Sequence, residues 1–261
     1  MTLPSLFLSH GAPTLPITDT PARTFLTQIG SRLPKPKAIL VVSAHWETDT
    51  PMVNAVESNE TIHDFRGFPR ALYDLRYPAP GSPQVAARVA EALHSAGFEC
   101  RIDHRRGLDH GAWSVLKHLY PAANIPVIQL SIDYTQPASF HFALGQQLQD
   151  LRRKGILIIG SGNIVHNLRL VDFENFDRDN YGFDWAIEAR AFINTCLVKG
   201  DFEPLIHYAK QSKALQMAIP SPDHFLPLLY TLGLQQKGDV LSLFNDKLLA
   251  GSLSMTSVKI S

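Results

Sequence analysis

Ile39-Leu40-Val41-Val42-Ser43-Ala44-His45-Trp46 is a short apolar run that stops on an imidazole. Its length and its β-branched content read as a strand buried on both faces, the kind found in parallel sheets. Working outward, Leu6-Phe7-Leu8-Ser9-His10-Gly11 repeats the pattern, with a histidine again at the carboxyl end. In open α/β sheets the carboxyl ends of the strands form the rim where ligands bind. Two imidazoles on one such rim suggest a metal site.

The rest of the chain alternates strand and helix signals. Strands are predicted over 5–9, 38–44, 98–102, 127–132 and 156–160. A helix opens at Ser82-Pro83, shows Val85, Val89 and Leu93 on one face, and meets Gly97 where a left-handed cap is wanted. Phe140, Leu144, Leu148 and Leu151 form a second stripe, closed by Gly155, and further helices are predicted over 184–198 and 225–232. Residues 239–244 and 253–260 return to strand patterning. The expected fold is α/β, with a central, largely parallel mixed sheet flanked by helices on both faces and antiparallel additions near the C-terminus. One segment, 46–81, breaks the rhythm with Thr61-Ile62-His63-Asp64-Phe65-Arg66-Gly67-Phe68-Pro69 and Tyr77-Pro78-Ala79-Pro80-Gly81. Long irregular loops are more often functional than idle, and this one is expected to wall a pocket for a flat ring.

At 261 residues and 45% hydrophobic content the chain can bury a sizeable core, and no linker-like stretch divides it, so residues 1–261 are read as a single domain. The 24 basic residues balance the 24 acidic ones, which argues against nucleic acid or anionic lipid as partner and for a small molecule. Cys100 and Cys196 lie far apart and form no CxxC, which fits a reducing compartment and offers no thiolate metal site. The first strand signal follows Met1 almost directly, and nothing approaches the ~20 apolar residues of a membrane span. A cytoplasmic monomer or small homo-oligomer is expected.

A third ligand is needed beside His10 and His45. Pro222-Asp223-His224-Phe225 opens a helix late in the chain and offers either the His224 imidazole or the Asp223 carboxylate, the latter also a candidate N-cap. His110, in Leu108-Asp109-His110-Gly111-Ala112-Trp113, is either packed by Trp113 or aimed at ligand. His166 follows a strand that ends in Gly160-Ser161-Gly162-Asn163, where glycines permit close approach at the rim, and an acid/base role suits an imidazole there. His63 and Phe65, in the aromatic loop, are candidates for substrate contact. His94, His104, His118, His141 and His207 sit in helical or charged surroundings and read as structural. Phosphate-loop, HExxH, GxGxxG and GxSxG motifs are absent, so Ser161 is not read as a hydrolase nucleophile.

Taken together, LFLSHGAP, VVSAHWET, TIHDFRGFP, YPAPGSP, LDHGAW, VIQLSID, GSGNIVHNLR, PDHFLPLLY and GSLSMTSVKI resemble, in this order, the DOPA extradiol dioxygenase group of the class III (protocatechuate-dioxygenase-like) ring-cleaving enzymes. The resemblance runs from Leu6 to Ile260. It implies a non-haem Fe(II) site, or Zn(II) in some relatives, held by His10, His45 and His224. It also implies His166 as base or additional ligand, and His110 on the oxygen side. More distant class III enzymes use a Glu as third ligand; here Pro222-Asp223-His224 stands at the matching place, so three imidazoles replace the usual two-histidine, one-carboxylate set. The implied activity is extradiol cleavage of a catechol by O2 to a ring-opened semialdehyde. The alternatives are a metal-binding protein of the same fold without turnover and a zinc hydrolase.

Overall fold

The computed structural model describes residues 2–261 apart from Asp177. Its strands are β1 (Ser5–Ser9), β2 (Ala38–Thr48), β3 (Met52–Asn54), β4 (Arg101–Asp103), β5 (Val127–Asp133), β6 (Ile156–Gly162), β7 (Leu241–Phe244), β8 (Leu248–Leu249), β9 (Leu253–Ser254) and β10 (Ser257–Ile260). The helices are α1 (Pro21–Arg32), α2 (Arg70–Tyr73), α3 (Pro83–Ser95), α4 (His110–Leu119), α5 (Ala138–Gln147), α6 (Gln149–Arg153), α7 (Asp184–Lys199), α8 (Glu203–Ile206), α9 (Lys213–Ala218) and α10 (Leu226–Gly233).

The large sheet has the order β4-β3-β5-β2-β6-β1-β10-β7. Its centre, β5-β2-β6-β1, is parallel throughout. Antiparallel pairs flank it on both sides, β3 against β5 at one end and β10 against β1 and β7 at the other. Because side chains alternate across a strand, β2 feeds two cores. Leu40 and Val42 join Val89, Leu93, Leu144, Ile193 and Leu229 on one face. Ile39 and Val41 join Leu26, Trp113 and Leu116 on the other. The expected α/β architecture, with helices on both faces and antiparallel strands at the C-terminus, is what the chain forms.

Details differ from the sequence reading, each for a local reason. Strand β4 begins at Arg101 rather than at 98, because Gly97 is left-handed and the Cys100 amide still donates to His94 Nε2 at 3.2 Å. The stripe of Phe140 to Leu151 is two helices, broken at Leu148, whose amide donates to the Gly145 carbonyl. Strand β2 runs on through His45 to Thr48, with an irregular register against β5 between Val42 and Glu47. Segment 46–81 holds β3 and α2, and its aromatic rings turn inward. Helix α1 had no expectation: Ala22, Leu26 and Gly30 make too narrow an apolar stripe to notice, and Gly30 is small because the Leu119 backbone lies against it.

Candidate metal centre

Five histidines converge at the carboxyl end of the parallel strands. His10 follows β1, His45 lies on β2, His110 opens α4, His166 follows β6, and His224 precedes α10. The His10, His45 and His224 ring centroids are 5.0–5.1 Å apart. His110 stands 3.9 Å from His45, and His166 stacks on His224 at 3.6 Å. Candidate ligand atoms fall into two separate groups, one of His10, His45 and His110 and one of His166, Asp223 and His224, each within 4.8 Å. The set implied by the family resemblance, His10, His45 and His224, spans both.

Backbone contacts hold these elements in place. His10 N donates to the Gly162 carbonyl at 3.1 Å, and Asn163 N donates to the His224 carbonyl at 2.9 Å. Gly162 must be glycine because a Cβ would stand 2.1 Å from that His224 oxygen. Helix α4 is capped by Asp109, which accepts from Ala112 N at 3.2 Å. The same buried carboxylate accepts from Ser43 Oγ at 2.7 Å, Gln129 Nε2 at 2.8 Å and Arg106 at 3.2 Å, tying α4 to β2 and β5.

The hydrogen-bond network assigns the imidazole protons. Ser161 Oγ donates to the Gly111 carbonyl at 2.6 Å, so it can only accept from His10 Nδ1, 3.0 Å away. The lone pair of His10 is therefore on Nε2. Asp64 accepts from His110 Nδ1 at 2.9 Å, which leaves the lone pair of His110 on Nε2, and the same carboxylate oxygen lies 3.5 Å from His45 Nδ1. Asp223 accepts from His224 Nδ1, with the same consequence. His10 Nε2 and His45 Nε2 face each other at 3.2 Å. Two ligands at 2.0–2.1 Å from a tetrahedral ion would be about 3.3 Å apart, so the donor set fits a divalent cation with nitrogen preference.

Electrostatics agree with that fit. Burial lowers the pKa of His10, and the neighbouring imidazoles His45 and His224 lower it further. Burial, then His110 and His224, push His45 down to about 2. Burial likewise pushes His166 down to about 3. These rings stay neutral at pH 7, as ligands or proton acceptors must. Burial opposes ionisation of Asp64, but hydrogen bonds from His110 outweigh it and hold the carboxyl at about 2.

His63 and Phe65 lie at the edge of this group. Phe65 is buried with its ring 5.6 Å from that of His110. His63 contacts Phe65, Tyr73 and Trp113, and its Nε2 hydrogen-bonds the Leu75 carbonyl at 3.1 Å. A cavity of about 570 Å³ opens beside His10, with Leu15, Arg178, Asp179, Lys247, Leu249 and Met255 in its walls. Among the described residues lining it, none comes from 46–81.

Sequence reasoning passed over two of the residues just described. Asp64 sits between the two residues weighed in its loop, and nothing local signals that its carboxylate reaches His110. In sequence Ser161 reads only against a nucleophile motif, and its role as acceptor for His10 Nδ1 appears once β1 and β6 pair. Asp223 reads from sequence as ligand or N-cap; in the structure Phe225 occupies the N-cap and Asp223 holds His224.

The fold and the site together define a class, an α/β protein with a histidine-rich candidate metal centre on the strand-end rim. Within that class the chain belongs to the family described as the catalytic LigB subunit of aromatic ring-opening dioxygenase, which it matches over residues 4–250. It is 43% identical to the 4,5-DOPA dioxygenase extradiol of Escherichia coli K12, over 99% of this chain and 94% of that one. A Beta vulgaris protein of the same description is 40% identical, over 98% and 95%. The crystal structure of an uncharacterized Escherichia coli K12 protein superposes with a TM-score of 0.84 at 38% identity, covering 99% of this chain and all of the other.

Proposed function

We propose that residues 1–261 act as one catalytic unit, a metal-dependent extradiol dioxygenase that opens a DOPA-like catechol with O2 to give a semialdehyde. The observation that carries this reading is the pair of facing Nε2 atoms of His10 and His45, 3.2 Å apart, with the His224 ring about 5 Å from both. His10, His45 and His224 would hold the ion, Fe(II) for activity; Zn(II) can occupy the same nitrogens but has no redox chemistry. When bound, iron would anchor the diol and activate dioxygen.

The chain's own groups supply the rest. His166, neutral and stacked on His224, accepts the diol proton at a ring nitrogen. Burial makes it a weak base in the free protein, and the diolate's negative charge beside it strengthens it. It is also the candidate fourth ligand. His110, backed by the Asp64 carboxylate, faces the oxygen side and can hydrogen-bond charge that develops there. The cavity beside His10 falls within the usual range for small-molecule sites, about 300–1,000 Å³, and accommodates a catechol with its side chain. Phe65 packs on His110 and His63 packs on Phe65, so the two would steady the oxygen-side imidazole from behind rather than line the cavity. The partners are a catechol and O2 rather than nucleic acid or membrane, and no described helix is long and apolar enough to cross a membrane. A cytoplasmic setting and a monomeric or small homo-oligomeric state complete the proposal.

The test is anaerobic loading with Fe(II), followed by oxygen uptake and product mass with DOPA and a panel of catechols. Stoichiometric oxygen consumption, with both oxygen atoms in a ring-opened product, is expected. Full iron occupancy without oxygen uptake would overturn the enzyme and favour a metal-binding protein without turnover.

A further inference from the structure

Asp64 is turned inward from an exposed stretch of the aromatic loop and is shared by two histidines. Its Oδ1 accepts from the His110 backbone N–H at 2.9 Å. Its Oδ2 accepts from His110 Nδ1 at 2.9 Å and lies 3.5 Å from His45 Nδ1. The two rings are themselves only 3.9 Å apart. An ionised carboxylate has acceptors only, so every imidazole nitrogen facing it is favoured in its N–H form. A neutral imidazole carries a single N–H, and fixing it on Nδ1 leaves the lone pair on Nε2. For His45 that is the nitrogen facing His10.

We infer that Asp64 is a positioning residue that sets the tautomer of both His45 and His110, so that one loop carboxylate readies the metal-facing nitrogen and the oxygen-side imidazole together. The inference rests on the proposed metal centre for its metal readout and stands apart from it for its tautomer readout. Carboxylates that orient a ligating histidine typically contribute 10–100-fold in metal affinity. The shared arrangement adds a consequence that a merely structural residue lacks.

In Asp64→Asn the introduced amide can keep its oxygen on the His110 backbone N–H. Its NH2 then takes the place of Oδ2 and points donors at both Nδ1 atoms. That favours the opposite tautomer in both rings and buries the Nε2 lone pair of His45 under a proton. Asp64→Ala removes the bias without reversing it. A loop contact valued only for shape would rank the isosteric Asn variant as the milder change; the tautomer role ranks it as the more harmful.

The experiment titrates cobalt(II) into wild type, Asp64→Ala and Asp64→Asn without substrate, following the ligand-field spectrum. Imidazole nitrogen NMR shifts are recorded on the same metal-free proteins, and circular dichroism checks that each is folded. The expected result is cobalt affinity weakened about 10-fold in Asp64→Ala and about 100-fold or more in Asp64→Asn. His45 and His110 should be protonated on Nδ1 in wild type and on Nε2 in Asp64→Asn. Cobalt affinity in Asp64→Asn equal to or tighter than in Asp64→Ala, or Nδ1 protonation retained in Asp64→Asn, overturns the inference. A wild-type protein that binds no cobalt while its shifts still move with Asp64 would sink the metal centre alone.

Discussion

At the scale of single residues, the site depends on which nitrogen of each ring carries a proton. His10 and His224 each have Nδ1 held by an acceptor, Ser161 and Asp223 in turn, which leaves Nε2 for the centre, and His45 Nδ1 lies 3.5 Å from the Asp64 carboxylate. Partners of this outer kind contribute 10–100-fold in metal affinity, so removing a ring that binds directly should cost more than about 100-fold. His224→Ala is therefore expected to lose its metal on dialysis, while His94→Ala, whose ring serves the Cys100 amide, keeps it. Unchanged metal affinity in His224→Ala would transfer the third position to His110, which lies with His10 and His45. Much of this was legible in sequence because a histidine that ends an apolar run has few places to point. The acceptors were not, since Ser161, Asp64 and Asp223 are common residue types whose role appears only when distant elements meet.

At the scale of elements, legibility followed burial. Strands β1, β2, β5 and β6 are buried on both faces and read as continuous apolar runs. Short β3 and the sparse stripe of α1 carry little periodic signal, because partner elements rather than local pattern decide them. Glycines mark where elements come closest. At Gly162, at the end of β6, a methyl group would meet the His224 carbonyl oxygen at 2.1 Å and its carbon at 3.0 Å, both backbone and unable to rotate away. Gly162→Ala should thus push the segment ahead of α10 off the sheet. Overpacking of this kind costs about 1–3 kcal/mol, and here it should weaken metal binding as well, although no ligand is changed. Urea denaturation and metal titration of the same variant measure both effects. Wild-type values in each would show that the segment yields without moving His224.

At the scale of the molecule, gathering neutral histidines inside an otherwise charge-balanced protein makes its stability depend on pH. Burial lowers His45 to about 2, His166 to about 3 and His141, packed against Tyr230, to about 4, all from an ordinary value of 6.5. A base whose pKa falls on folding binds protons more readily when unfolded, so stability rises with pH across the interval. The contribution is complete above 6.5 and drains away as pH falls toward the folded values. For His141 alone the difference is worth roughly 3 kcal/mol. The lowered carboxyls of Asp64 and Asp223 act in a lower window, below about 4, where ordinary carboxylates begin to protonate. The metal-free protein should accordingly show a urea midpoint that is flat from pH 8 to 7 and falls steeply from 6.5 to 4.5. His141→Gln should remove about one proton from that slope near pH 5, because the site that charges on unfolding is gone. Loading the centre with a divalent metal should steepen the fall, since protons and metal compete for the same imidazole lone pairs. A chelator-treated protein with equal midpoints at pH 8 and pH 5 would mean that the buried rings find compensating partners on protonation, and that neutrality is not what the fold requires of them.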